Sequence, residues 1–151
     1  MIVAGLSRIS KPAFGIIMFS SVGILSYVED ERGRQLILLI DQVISDYYRS
    51  LLPKYFYVQP QQWPAHITVV RRGLEVVSDL QFWGKHEGEK VEFFYDPVVR
   101  EGTVYFWLNC FSKRLEEIRL ELGLSVKSEY TIPPEPFIKV FHCTIGNKKN
   151  V

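Results

Sequence analysis

Cysteine is scarce in this chain. There are two, Cys110 and Cys143, among 151 residues. Neither belongs to a C-x-x-C pair, so the chain has no disulfide framework and no thiol metal knuckle, and a reducing compartment, the cytoplasm, is the expected setting. Charge of one sign is also lacking: 18 Lys and Arg stand against 17 Asp and Glu, a net charge of +1. That balance argues against a protein that tracks long DNA or RNA by neutralising many phosphates. It leaves room for a small anion held by a few local cations. No low-complexity run or linker divides the chain, and long apolar runs are missing. The apolar stretch Phe14 to Val28 follows Arg8 and Lys11, as a signal peptide would, but Ser20, Ser21 and Gly23 interrupt it. It is shorter than the about 20 residues a membrane helix needs, and no small-x-small cleavage pattern follows. It reads as strand–turn–strand, and no membrane partner is expected.

Apolar residues make up 47% and charged residues 23% of the chain, which suits one globular domain over residues 1–151 with a proper core. Phe14 to Phe19 reads as a strand. After the charged turn "EDERG", the apolar positions Leu36, Ile37, Ile40, Val43, Ile44, Tyr47 and Leu51 recur at three- and four-residue spacing. They predict a helix from about Arg34 to Leu52, ended by Pro53. Further strands are expected over 66–71, 90–95, 103–110 and 139–146. A second helix is expected from about Lys113 to Leu122, with Ser112 as its N-cap and Gly123 as its stop. The Pro-rich stretch from Ser125 to Phe137 is long enough to act as a lid, or serves as a rigid connector.

Histidine is rare too, with three in the chain. Two of them stand in the same local setting: His66-Ile67-Thr68 within "WPAHITVV" and His142-Cys143-Thr144 within "VFHCTIG". Side chains alternate along a strand, so His and Thr at i and i+2 share one face. Ile67, Val69, Phe141, Cys143 and Ile145 point the other way, as a core face would. One such motif is what any half-buried strand looks like. Two motifs, at matching places in two halves that each run strand, helix, strand, call for chemistry. The halves rhyme in architecture without aligning in sequence.

Two imidazoles can supply the base and the acid that in-line cleavage of a phosphodiester needs, because their pKa values lie near neutrality. The threonine hydroxyls can donate to the non-bridging oxygens. A metal centre fares poorly as the alternative, because each strand offers one good ligand and Cys143 faces away from His142.

Paired His-x-Thr strands, one in each half of a small α+β chain, resemble the two-histidine phosphoesterase superfamily, over nearly the whole length. The stretches "LLPKYFYVQPQQWPAHITVVR", "FWGKHEGEKVEFFYDP", "YFWLNCFSKRLEEIRLELGL" and "PPEPFIKVFHCTIGN" are similar in wording to the phage phosphodiesterases that destroy the cyclic nucleotide signals of CBASS immunity. The resemblance implies an α+β fold with two antiparallel sheet lobes around a central cleft and helices on the outer faces. It implies cleavage of 3′–5′ bonds in cyclic di- and trinucleotides such as cGAMP, without metal or other cofactor, in the host cytoplasm. It carries His66, Thr68, His142 and Thr144 over as the catalytic set, and does not say which histidine is the first base.

Flat bases call for aromatic platforms. Trp83, in a Gly-flanked segment, and Tyr130, in the Pro-rich loop, are the best candidates. Tyr105 follows, and Trp63 and Tyr57 are further options, whereas Trp107 reads as core. Among cations, Arg71 and Lys148 sit just past the motif strands; Lys85 and Lys139 are alternatives. His86, in the polar turn "GKHEGE", is expected at the surface. The sequence leaves two other functions in play: an RNA-end 2′,3′-cyclic phosphodiesterase, and a cyclic-nucleotide sponge that binds without cleaving.

Overall fold

A computed structural model of the chain describes residues 17–128 and 130–149. The fold is α+β: six antiparallel strands and two helices. The order is β1 (Phe19–Asp30), β2 (Gly33–Leu39), α1 (Gln42–Ser50), β3 (His66–Val70), β4 (Lys90–Glu101), β5 (Tyr105–Phe111), α2 (Lys113–Glu121) and β6 (Phe141–Asn147). Each half therefore runs strand, strand, helix, strand. The strands close into a barrel in the order β1-β2-β3-β6-β5-β4. That order is palindromic with respect to the two halves: β3 meets β6 at one seam, and β1 meets β4 at the other.

The helix expected over 34–52 is half strand. Gly33–Leu39 pairs with β1 across a tight turn, with Asp30 opposite Gly33. Leu36 and Leu38 point into the core while Ile37 and Leu39 are only half-buried. A run with apolar residues on both faces satisfies a period of two and a period of 3.6 alike, and pairing with β1 decided for the strand. The true helix begins at its cap, where the Asp41 carboxylate accepts from Val43 N–H at 3.0 Å.

The strand–turn–strand expectation for Phe14 to Val28 also changes. Phe14, Gly15 and Ile16 lie outside the described residues, and from Phe19 onward the chain is one unbroken strand. Gly23 is not a turn residue. A Cβ there would sit 2.6 Å from Leu38 Cγ and 2.7 Å from the Leu39 carbonyl oxygen, so glycine lets β1 and β2 approach closely.

The second helix matches its signals. Ser112 Oγ accepts from Leu115 N–H at 3.3 Å, and Gly123 follows the helix at φ +78°. Both helices lay their apolar faces, Ile44 and Tyr48 on α1 and Leu115, Ile118 and Leu122 on the α2 side, into one core with Ile67, Val69, Cys143 and Ile145. Among the described residues, no helix is long and apolar enough to cross a membrane.

His86 is not a surface residue. Its side chain is 11% exposed and wedged between Glu121 (2.7 Å from Nε2) and Glu89 (3.2 Å from Nδ1). Arg114 pairs with the same Glu89 at 2.7 Å. The polar turn is drawn onto α2 because the imidazole, Glu89, Arg114 and Glu121 satisfy one another's hydrogen bonds there.

Candidate active site

The seam between β3 and β6 sets Ile67 opposite Cys143. Antiparallel strands count in opposite directions, so Thr144 comes beside His66 and His142 beside Thr68. Ile67 and Cys143 are fully buried, which turns all four motif side chains to the face away from the core. The two imidazoles are diagonal neighbours, about 7–8 Å apart at the backbone. Each has the other strand's threonine at its side. On β2, Leu39 lies opposite His66 and Ile37 opposite Thr68. On β5, Asn109 lies opposite His142 and Trp107 opposite Thr144. A half-buried apolar shoulder on one side and a tryptophan on the other thus frame a row of imidazole and hydroxyl groups.

The two rings are held differently. His66 Nδ1 lies 2.8 Å from the Pro64 carbonyl oxygen. A carbonyl only accepts, so Nδ1 carries the proton and Nε2 is the working nitrogen. The bond survives protonation of Nε2, so the ring keeps its orientation in either charge state. The Pro64 carbonyl is itself steadied: the next residue, Ala65, donates its N–H to Gln42 Oε1 at 2.8 Å and accepts from Ile40 N–H at 3.1 Å.

His142 stacks at a tilt against Trp107, with ring centroids 5.4 Å apart. Its pKa lies below the ordinary imidazole value, first because its surroundings crowd water from the ring, then because Lys139 and Arg71 repel a second positive charge. The residue is exposed overall, so the crowding is partial. Both causes disfavour the charged ring.

Arg71, exposed and just past β3, is therefore within electrostatic reach of His142, as is Lys139. The other candidates have contacts of their own. Trp83 packs edge-on against Tyr27 at 4.9 Å and rests on the core. Lys148 pairs with Glu101 at 3.3 Å and covers the Phe106 ring at 5.1 Å. Tyr105 lies toward the far end of β5, opposite Asn147, beneath Lys149 Nζ at 5.3 Å. Tyr130, in the Pro-rich loop, is 95% exposed.

Sequence reasoning missed Asn109 and assigned Trp107 to the core. The signal was the alternation itself. Leu108 and Cys110 are buried, so Trp107 and Asn109, which alternate with them, face the other way, and an asparagine inside an apolar run marks that face as polar. The cysteines are not candidates for chemistry: burial pushes the Cys143 thiol up to about 12, and Cys110 is raised as well. Among the described residues, no three His, Cys, Asp or Glu side chains gather as a metal-binding group.

No protein-family model, curated protein or solved structure matches the chain.

Proposed function

We propose that the chain is a phosphodiesterase that opens small cyclic oligonucleotides by histidine acid–base catalysis. The observation that carries this reading is the single face shared by His66, Thr68, His142 and Thr144, with one imidazole whose pKa is lowered by water exclusion and nearby cations and the other tied by Nδ1 to a carbonyl. The resemblance to the phage enzymes that counter CBASS supplies the substrate class and the setting, the cytoplasm of an infected host. The two-lobed reading goes with it. The halves β1-β2-α1-β3 and β4-β5-α2-β6 are the lobes, and the β3–β6 seam is where substrate lies.

His142 is the first base. Kept neutral near pH 7, it takes the proton from a ribose 2′-OH, whose oxygen attacks the adjacent phosphorus. The P–O5′ bond breaks, and the leaving oxygen takes the proton from Nε2 of protonated His66. The product is a linear chain ending in a 2′,3′-cyclic phosphate, and the two histidines have exchanged states. Thr68 and Thr144 donate to the non-bridging oxygens, and Arg71 and Lys139 offset the charge of the phosphate.

The test is incubation with cyclic dinucleotides, cyclic trinucleotides and RNA ending in a 2′,3′-cyclic phosphate, with and without EDTA. Linear products from the cyclic substrates, undiminished by EDTA, are expected. Turnover abolished by EDTA, or ligand recovered intact after denaturing the protein, overturns the reading.

A further inference from the structure

The face that carries the histidines does not end at His142. Across β5 it continues through Asn109 and Phe111 to a cavity of about 530 Å³, lined also by Met18, by Asp96 and Arg100 of β4, and by residues 131–135 of the Pro-rich loop. That volume lies within the range of about 300–1,000 Å³ typical of small-ligand sites. The loop wall is anchored. Phe137 packs on Phe94 and Phe111 at 5.7 and 5.5 Å, and the buried Glu116 of α2 accepts from Ile138 and Lys139 N–H at 2.8 and 3.1 Å.

Asn109 is 6% exposed, and its amide is oriented without ambiguity. The Trp107 indole N–H, 3.1 Å away, bonds its Oδ1. An indole nitrogen can only donate, so the carboxamide oxygen must face it and the NH₂ group turns the other way. The adjacent strand β4, on which Arg100 lies opposite Trp107, contributes the Asp96–Arg100 pair at 2.8 Å. The rest of the lining is mostly apolar, with Met18, Phe111, Ile132 and two prolines, and Thr131 and Glu135 are its other polar members.

We propose that this cavity is the subsite for one nucleobase of the substrate and that it favours guanine. The inference rests on the phosphodiesterase reading for what enters the cavity. Guanine presents acceptors at O6 and N7 beside donors at N1 and N2, which an arginine and a carboxylate in one place complement. Adenine puts a donor where guanine has O6, and Arg100 cannot accept from it. The apolar walls take the faces of the base, and Asn109, next to His142, donates to the sugar or base nearest the cleaved phosphate.

The experiment compares direct binding and turnover of cyclic di-GMP and cyclic di-AMP by the wild type, Arg100→Ala, Asp96→Asn and Asn109→Ala, all with cooperative unfolding verified. Wild type should favour the guanine ligand at least tenfold in Kd. Arg100→Ala and Asp96→Asn should bring the ratio near one, and Asn109→Ala should weaken both ligands while leaving the acid limb of the pH–rate profile in place. Equal wild-type affinities, no wild-type binding of either, or variants that leave both affinities unchanged overturn the subsite. Guanine-selective binding that depends on Arg100 with no turnover of either ligand leaves the subsite standing and rejects the catalytic reading instead.

Discussion

Arg49 and Arg119 hold mirror positions in the two halves of the fold. Each stands near the end of its half's helix, and each reaches into the other half. Arg49 Nη1 donates to the Ile145 carbonyl at 3.1 Å, and Arg119 Nη1 donates to the Val69 carbonyl at 2.7 Å. Those carbonyls belong to the residues immediately after Thr144 and Thr68. Each helix therefore secures the other half's motif strand, and the β3–β6 seam is held from both sides.

The two arginines should not be equally costly to lose. Arg119 is 3% exposed and also binds Glu75 at 2.6 Å and the Ser125 carbonyl. Arg119→Met strands a half-buried carboxylate and two carbonyls, and about 3–5 kcal/mol of stability should go with it. Arg49 is more open and pairs with the exposed Asp46, so Arg49→Met should cost about 1 kcal/mol. Urea unfolding of both variants checks the order.

The Glu75 contribution has a definite pH sign. Burial alone would raise its pKa, but hydrogen bonds from Arg119 and the Arg71 backbone N–H, with the charge of Arg119, outweigh that and leave it lowered. The unfolded chain then binds the proton more readily, so this stability is present above the ordinary carboxylate value of 4.5 and is lost as pH falls below it. Urea midpoints taken between pH 6 and 3 should fall less steeply in a Glu75→Gln variant than in wild type.

His142→Ala and His66→Ala should each lower kcat by about 10²–10⁴-fold while cyclic dinucleotide still binds. Because water exclusion, Lys139 and Arg71 depress His142 below 6.5, the acid limb of kcat/KM against pH should fall below 6.5. Replacing Arg71 and Lys139 together by Gln should move that limb upward. An unmoved limb would assign the base elsewhere.

Gly23→Ala tests the β1–β2 approach. Its Cβ meets Leu38 and the Leu39 carbonyl, and the neighbouring Leu39 lies beside His66. A loss of about 1–3 kcal/mol is expected from the overpacking, read from thermal unfolding, with activity at low temperature retained if β2 keeps its register.

Both thiols should be silent. Cys143 is pushed up to about 12 by burial, and Cys110 is raised by the same cause. Iodoacetamide at pH 8 should label neither in the native protein and both in urea.

The elements most visible in the sequence were those with an unshared signal. The α2 helix carried a serine cap and a glycine stop, and β3 and β6 carried strict alternation around Ile67 and Cys143. The stretch from Gly33 to Leu39 carried two readings at once, since Leu36 and Ile37 serve a helix period and a strand pair equally well. His86 looked like a loop residue because Glu121 and Arg114, which enclose it, lie 35 and 28 positions away.

The sequence by itself determined which side chains face together within each strand, because alternation is a property of one strand's backbone. It placed His66 with Thr68 and His142 with Thr144 before any fold was known. Only the tertiary structure decided that these strands are direct neighbours, that Trp107 and Asn109 extend their face, and that Arg71 and Lys139 come near enough to act on His142. Those are relations between segments distant along the chain. They depend on barrel order and register, which are set by the packing of Ile67 and Cys143 against the whole core rather than by any local pattern.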